Sequence, residues 1–160
     1  MSKKSLQNVL KKVQNPQLRI PEIMKTAGYS ATPLAKKLGM KNGFKIKLVN
    51  QPDYYFSLFT DLPSDMQELP DERIKKDFIH YFAKSALQLE KDIKQLKQEI
   101  EQNGMIWISW PKKTAKVTTD LDDNIIRDIA LENGLVDVKV CAVDEIWSGL
   151  KLVIRLKNRA

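Results

Sequence analysis

Two short polar segments of this chain carry the residues that could do chemistry, because each one interrupts an apolar pattern. Together they contain eight candidate ligand-binding residues: Trp110, Lys112, Lys113, Thr118, Asp120, Asp144, Glu145 and Trp147. In the first segment, lysines and threonine hydroxyls precede a predicted helix, and a helix N-terminus favours phosphate or carboxylate groups. In the second segment, two adjacent acids beside an indole suit an acid, a base and a stacking wall.

Both segments also have a structural explanation that involves no ligand. The lysines can lie on an exposed loop and pair with acids such as Asp144 or Glu145, and exposed pairs of this kind contribute little to stability. The second segment can be the exposed turn of a hairpin, with Trp147 folded over the core. Nothing in the sequence shows that the two segments face the same edge of the fold, so these alternatives stay open.

The other residues that often carry chemistry stand alone in the sequence. His80 is the only histidine and lies in an apolar run, where a buried, hydrogen-bonded imidazole is expected. Cys141 is the only cysteine, which excludes an intramolecular disulfide and a zinc site made of several thiolates. No spacing typical of metal ligands occurs, so we expect no metal site, and the sequence identifies no catalytic residue.

Apolar spacing and turn residues predict the elements that position these side chains. Strands are predicted at 44–50, near 66–69, and at 78–82, 105–110, 136–142 and 150–154. Helices are predicted at 33–38, near 54–60, over 85–102 and after residue 119. Thr32 and Thr119 are the expected N-caps of the first and last of these helices, and Gly39 and Gly104 the expected ends of the first and third.

This order of elements indicates a three-layer, Rossmann-like α/β fold whose mostly parallel sheet closes with a C-terminal antiparallel hairpin. Ligands of such sheets bind beyond the carboxyl ends of the parallel strands. That rule also selects the polar residues after the first two long strands: Asn50, Gln51, Asp53, Lys84 and Ser85. Over residues 44–156 the pattern resembles the C-terminal half of the S-adenosylmethionine-dependent methyltransferase fold, in a shortened form.

Three longer stretches resemble a bacterial family that is classed as a domain of unknown function. They are residues 28–39 (GYSATPLAKKLG), 107–113 (WISWPKK) and 140–153 (VCAVDEIWSGLKLV). The resemblance covers most of residues 28–156. It implies an α/β fold and a bacterial cytoplasmic setting, and it implies no particular reaction.

The methyltransferase resemblance implies a cofactor site that this sequence does not repeat. Such a fold would place a glycine-rich turn after its first strand and an acid after its second strand to hold the cofactor. Here the first strand leads into Val49-Asn50-Gln51-Pro52-Asp53, and no glycine occurs between Gly43 and Gly104. We therefore expect a degenerate cofactor site and no cofactor.

Length and charge suggest one α/β domain, residues 28–160, preceded by a basic arm, residues 1–27, with a short amphipathic helix near 6–13. Residues 1–19 carry five basic residues and no acidic one, so most of the net charge of +7 comes from the arm. No apolar run is long enough for a signal peptide or a membrane helix, so we expect a cytoplasmic protein without membrane contact.

Three functional hypotheses remain. The first is a non-catalytic binding protein for a small anionic ligand or a protein partner. The second is a divergent transferase or methyltransferase-like enzyme that uses Asp144 or Glu145 as its acid-base group. The third is nucleic-acid binding through the basic arm, which is disfavoured because residues 1–19 offer no aromatic ring to stack on bases. The oligomeric state cannot be deduced from the sequence.

Overall fold

A computed structural model describes residues 32–159. The predicted arm, its helix near 6–13 and the predicted domain start at residue 28 lie outside this range. The described helices and strands are, in order, α1 (Leu34–Leu38), β1 (Lys45–Val49), β2 (Gln67–Glu68), β3 (Lys76–Phe82), α2 (Ala86–Gln98), β4 (Ile100–Pro111), α3 (Asp123–Glu132), β5 (Leu135–Ala142) and β6 (Trp147–Ile154). Single turns of 3-10 helix lie at Tyr55–Leu58, Lys113–Ala115 and Leu156–Asn158.

The strands form one sheet in the order β2-β1-β3-β4-β6-β5. Strands β2, β1, β3 and β4 run parallel to one another, and β6 is antiparallel to both β4 and β5. The predicted α/β class, the mostly parallel sheet and the closing antiparallel hairpin are therefore confirmed. The order places β1 and β3 side by side, with the chain leaving β1 toward β2 before it returns to β3.

Helices or turns cover both faces of this sheet, as a buried parallel sheet requires. On one face, α2 and α3 pack on the sheet through Leu89, Ile93 and Ile126, which are buried with Ile106 and Leu150. On the other face, α1 and the residues after β1 pack on a second core, whose buried members include the aromatic side chains of Tyr55, Phe56, Phe59, Phe82, Trp107 and Trp147. The fold is thus three-layered.

Two predicted helix starts are corrected, because the capping groups differ from those expected. The residue before α1 is Pro33 rather than Thr32, and the backbone N–H groups of Ala35 and Lys36 donate to the carboxylate of Asp61, far along the chain. Helix α3 is capped by Asp122 rather than Thr119, since the Asp122 carboxylate accepts from the N–H of Ile125 at 2.8 Å. The predicted end of α1 is confirmed by Gly39, whose φ of 82° is left-handed.

Helix α2 ends at Gln98 rather than at residue 102, and the strand that follows begins five residues earlier than predicted. The chain turns at Glu99, whose carbonyl accepts from the N–H of Lys76 at 2.7 Å and so starts the pairing of β4 with β3. Gly104 is not a helix cap but lies in a bulge of β4, where a Cβ atom would be 3.1 Å from the carbonyl oxygen of Lys76.

A buried ion pair fixes this turn. The Nζ of Lys76 and the carboxylate of Glu99 are 2.9 Å apart, with side chains that are 0% and 1% exposed. Lys47 of β1 donates to the same carboxylate at 2.9 Å, so one glutamate joins β1, β3 and the start of β4. Burial alone would raise the pKa of Glu99, but the hydrogen bonds from the two lysines lower it.

Replacing Glu99 with Gln should destabilise the fold by about 3 to 5 kcal/mol, because Lys76 would keep its buried charge without a carboxylate. The matched control is Glu101→Gln. Glu101 pairs with Lys45 at 3.4 Å, but both side chains are more than a third exposed, so the loss should stay below about 1 kcal/mol. Urea unfolding followed by tryptophan fluorescence measures both values, and equal losses would contradict the central role given to Glu99.

Candidate functional site

The polar residues selected by the sequence lie along the edge of the sheet where the parallel strands end. At this edge β1 leads into Asn50, β3 into Ala83 and Lys84, and β4 into Lys112. The loop between β5 and β6 lies at the same edge, because Trp147 at the start of β6 pairs with Pro111 at the end of β4. The N–H of Lys112 also donates to the carbonyl of Ile146 at 2.8 Å. The two polar segments therefore do face the same edge.

The first crevice opens between the ends of β1 and β3 and has a volume of about 590 Å³. Its polar lining comes from Asn50, Lys84, Ser85 and Gln88, and the indole of Trp147 forms part of its wall. Here the order of the strands reverses, which is the usual ligand position in open α/β sheets. Among the described lining residues, Lys84 is the only one that carries a formal charge.

Local interactions hold the polar groups of this first crevice in place. Asn50 has a left-handed φ of 58°, which asparagine tolerates better than most residues, and its side-chain amide lies 3.5 Å from the carbonyl oxygen of Phe82. Ser85 caps α2 by accepting from the N–H of Gln88 at 3.3 Å. A serine that accepts through its oxygen still has its hydroxyl proton to donate, so Ser85 can donate to a ligand.

The second crevice lies between the end of β4 and the start of α3 and has a volume of about 640 Å³. Trp110, Lys112 and Lys113 line one side, and three carboxylates, those of Asp120, Asp122 and Asp123, line the other. The two lysines are thus outnumbered by acids in the lining of this crevice.

The donors that an anion would use at the start of α3 are already occupied. Asp122 accepts from the N–H of Ile125, and Asp123 accepts from the N–H of Asn124 at 3.0 Å. Asp120 belongs to a different helix start, because it accepts from the N–H of Ala86 in the first turn of α2 at 2.9 Å. The aspartates that the sequence placed beside the lysines therefore have structural partners.

Asp144 is the centre of the loop between β5 and β6 and not an exposed acid. One of its oxygens accepts from the N–H groups of Ile146 and Trp147 at 2.8 and 2.7 Å, and the other accepts from the hydroxyl of Tyr54 at 2.8 Å. Burial, and then the hydrogen bond with Asp144, raise the pKa of Tyr54 to about 12. Asp144 thus ties this loop to the segment after β1.

Glu145 and Trp147, the other two candidates of the second segment, have different surroundings from Asp144. Glu145 is exposed and lines neither crevice, whereas Trp147 is buried and packs edge-on against Phe82 at 5.0 Å between ring centroids. This agrees with the expectation that Trp147 folds over the core. Lys113 forms no ion pair with Asp144 or Glu145 among the described residues.

The eight residues that the sequence selected are therefore divided among four places. Trp110, Lys112, Lys113 and Asp120 line the second crevice, and Trp147 lines the first. Thr118 is exposed on the loop beside the second crevice. Asp144 and Glu145 lie in the loop between β5 and β6, where Asp144 is buried and Glu145 is exposed. Sequence reasoning missed Tyr54 and Gln88, and the only signal for them was their position after β1 and in the first turn of α2.

His80 is buried in β3, as the sequence predicted. Its Nδ1 lies 2.9 Å from the hydroxyl of Tyr55 and its Nε2 lies 2.7 Å from the Oγ of Ser109. Burial lowers the pKa of His80 to about 3, so the ring is neutral near pH 7. No group of three potential metal-ligating side chains gathers around it or elsewhere in residues 32–159.

Neither a protein-family model nor a curated protein matches the chain. Solved structures do match. The fibrillarin pre-rRNA processing protein of Methanococcus jannaschii has a TM-score of 0.50 at 14% identity, over 82% of this chain and 72% of that one. An O-methyltransferase from neocarzinostatin biosynthesis, solved with S-adenosylmethionine, has a TM-score of 0.54 at 10% identity, over 94% of this chain and 57% of that one.

A third structure, LepI in complex with S-adenosylmethionine, has a TM-score of 0.50 at 11% identity over 97% of this chain. The chain has a Rossmann-like methyltransferase fold. It spans 57% of the O-methyltransferase and 53% of LepI, and at these identities the likeness concerns the fold alone. The finer resemblance to a bacterial domain family stays a prediction.

The residues at the end of β1 and β2 do not repeat the cofactor-holding features of that fold. Where a glycine-rich turn is expected, Asn50 places its side chain against Phe82. Strand β2 pairs only with Lys45 and Ile46 of β1, so Glu68 lies opposite Ile46 and does not reach the end of β1 at Val49.

Replacing Asp144 with Ala should destabilise the protein by about 1 to 3 kcal/mol, because two backbone N–H groups near a buried indole lose their acceptor. The control is Tyr54→Phe, which removes a single hydrogen bond and should cost about 0.5 to 1.5 kcal/mol. Urea unfolding measures both. If Tyr54→Phe were the more damaging change, the role of Asp144 as organiser of the loop would be wrong.

The neutral His80 should make stability fall as the pH falls from about 6.5 toward 3. Its folded pKa is depressed, so the stabilisation is complete above the unfolded pKa and is lost as protons bind to the unfolded chain. The urea midpoint should be measured from pH 7 to pH 4 for the natural protein and for His80→Gln. The variant should show a shallower decline, whereas parallel curves would contradict a neutral, buried imidazole.

Proposed function

We propose that the chain binds a small anionic ligand in the first crevice and acts by binding rather than by a reaction of its own. The observation that supports this most is the position of Lys84, Ser85 and Trp147 around a crevice at the reversal point of the strand order. A cytoplasmic setting, expected from the sequence, belongs to the same proposal.

Charge favours the first crevice over the second. The second crevice has two lysines and three aspartates in its lining, so an anion entering it would meet net repulsion. The first crevice has one ammonium group and no carboxylate in its lining. The carboxylate of Asp92, one turn after Gln88 in α2, is not in the lining and already accepts hydrogen bonds from the hydroxyl of Tyr81 and from the amide of Gln88.

Three groups around the first crevice have the chemistry that a carboxylate or phosphate needs. Lys84 is exposed and forms no ion pair among the described residues, so its charge is available to a ligand. The Ser85 hydroxyl adds a neutral donor beside Lys84, although the N–H of Ala86 at the start of α2 already donates to the carboxylate of Asp120. The indole of Trp147 supplies an apolar wall on the opposite side.

We also propose a second subsite at the same edge. It consists of Trp110, Lys112, Lys113, Thr118 and Asp120. Because Asp120 caps α2, this subsite would hold a ligand only if the lysines outweigh the neighbouring acids. A protein partner that covers this edge is the other form of the binding proposal.

Methyl transfer is the second candidate function, and the fold likeness is what favours it. Structures of similar fold include an O-methyltransferase with S-adenosylmethionine and LepI with the same compound. Against it stands Asn50 at the end of β1, where the resemblance implies a glycine-rich turn and where this chain places a side-chain amide 3.5 Å from the carbonyl oxygen of Phe82. The proposed degenerate cofactor site follows from this feature.

A thermal-shift panel tests the two candidates against each other. The full chain should be heated with inorganic phosphate, adenosine monophosphate, succinate, S-adenosylmethionine and S-adenosylhomocysteine. A ligand at 100 times its dissociation constant stabilises by about 2.7 kcal/mol, which should raise the melting temperature by about 5 to 10 °C. We expect the shift from one of the simple anions.

Two lysine variants then locate the site. Lys84→Gln should abolish the shift, whereas Lys113→Gln, which removes an exposed lysine from the second crevice, should retain it. The reverse result would move the site to the second crevice. A shift with the methyl donor alone would replace this proposal with a methyltransferase, and silence with every anion would overturn it in favour of a protein partner.

A further inference from the structure

A cluster of lysines lies on the face of β5 and β6 that α1 covers. We call it the lysine patch and define it by Lys37 of α1, Lys41, Lys139 of β5 and Lys151 of β6. Lys139 and Lys151 are direct cross-strand partners. The Nζ of Lys139 donates to the carbonyl of Lys37 at 3.0 Å, which brings the α1 lysine to the same place.

Within the part of the chain that the structure describes, no carboxylate pairs with Lys139 or Lys151 of the lysine patch. Like charges that lie directly opposite each other in a sheet are destabilising. The carboxylates nearby are engaged elsewhere: Asp61 binds the backbone at the start of α1, and Asp137 pairs with Arg127 at 3.0 Å on the opposite face.

The protonated lysines of the patch oppose one another. Burial first, and then the charges of Lys139 and Lys112, lower the pKa of Lys37. Burial, and then the charges of Lys139 and Lys41, lower the pKa of Lys151. Water weakens this repulsion, and an external anion would offset the charges directly.

The chemistry of the patch favours a regularly charged phosphate backbone. Tyr54 is the only exposed large aromatic side chain among residues 32–159, and it is bound to Asp144 at the carboxyl edge. The patch therefore offers no ring to stack on unpaired bases and no aromatic anchor for a protein interface. Lysine ammonium groups without base-reading side chains bind phosphates irrespective of sequence.

The sequence before α1 is also basic. Residues 1–31 carry six basic residues and one acidic residue, and they join the chain directly before the helix that bears Lys37. A duplex carries about one negative charge per 1.7 Å of its axis, so a basic patch and a basic segment can act on it together.

We propose that the lysine patch binds the phosphate backbone of duplex nucleic acid without sequence preference. This surface is independent of the crevice proposed for a small anion, because Lys84 and Ser85 take no part in it.

The test is fluorescence anisotropy of the full chain with a labelled 20-base-pair DNA duplex, at salt concentrations from 50 to 200 mM. Each lysine that neutralises a phosphate contributes about 0.9 to the slope of log affinity against log salt. Lys139→Gln combined with Lys151→Gln should therefore make the slope shallower by about 1.8. If the lines meet near 1 M salt, the affinity at 0.1 M should fall about 60-fold.

The matched control removes the same charge from the exposed side of α2, by Lys91→Gln with Lys94→Gln. The control should change the slope by much less, since Lys91 and Lys94 are not part of the lysine patch. The patch variant and the control variant both keep residues 1–31, so that segment does not account for a difference between them. Melting curves distinguish lost binding from lost folding: the patch variant should melt no lower than the natural protein, because a like-charged cross-strand pair has been removed.

Three results would overturn the proposal. The first is an equal change of slope in the patch variant and the control. The second is displacement of the labelled duplex by polyglutamate of matched charge as effectively as by unlabelled duplex, which would indicate that the natural partner is an acidic protein. The third is an unaltered affinity in the patch variant. Lys84→Gln should leave duplex binding unchanged, so failure of the crevice proposal would not be mistaken for failure of this one.

Discussion

A buried parallel sheet must have both faces covered, and this requirement shapes the rest of the molecule. Helices α2 and α3 follow β3 and β4 and cover one face. Within residues 32–159 the other face receives the five-residue helix α1, and the segment after β1 adds Tyr55, Phe56 and Phe59 to its core. The methyltransferase resemblance implies a glycine-rich turn just before that segment, whereas here the segment contributes aromatic rings to the core.

The sequence predicted the parts of the fold that depend on local pattern. The period-two alternation of β6 and the left-handed Gly39 are examples, since neighbours along the chain determine both. Strand β5 departs from the alternation that its sequence suggests, because Val138 and Val140 are exposed at the edge of the sheet. The errors involve distant partners. Asp61 caps α1 from 26 residues away, and Glu99 leaves the helical pattern to meet Lys47 and Lys76 on other strands. A local reading of spacing contains no information about these contacts.

The candidate site shows the same division. The rule that ligands bind at strand ends selected Lys84, Ser85 and Asn50 correctly as neighbours, because topology alone brings them together. It could not show that Asp120 caps α2 or that Asp122 and Asp123 occupy the amides of α3. An aspartate near a lysine in sequence is a candidate for catalysis, for capping or for pairing, and only its three-dimensional partner distinguishes these roles.

The buried Lys76 and the lysines of the patch, Lys139 and Lys151, differ in how their charges are compensated. Lys76 has no access to water, so the fold provides it with Glu99 at 2.9 Å, since an unpaired charge there would cost several kcal/mol. Lys139 is exposed and Lys151 half-buried, so water can solvate them and folding does not require a carboxylate. Their mutual repulsion nevertheless lowers stability, and a neutral residue at either position would remove it. Lys139 also donates to the carbonyl of Lys37 near the end of α1, but this bond leaves its charge opposite that of Lys151, and a bound anion would offset both charges.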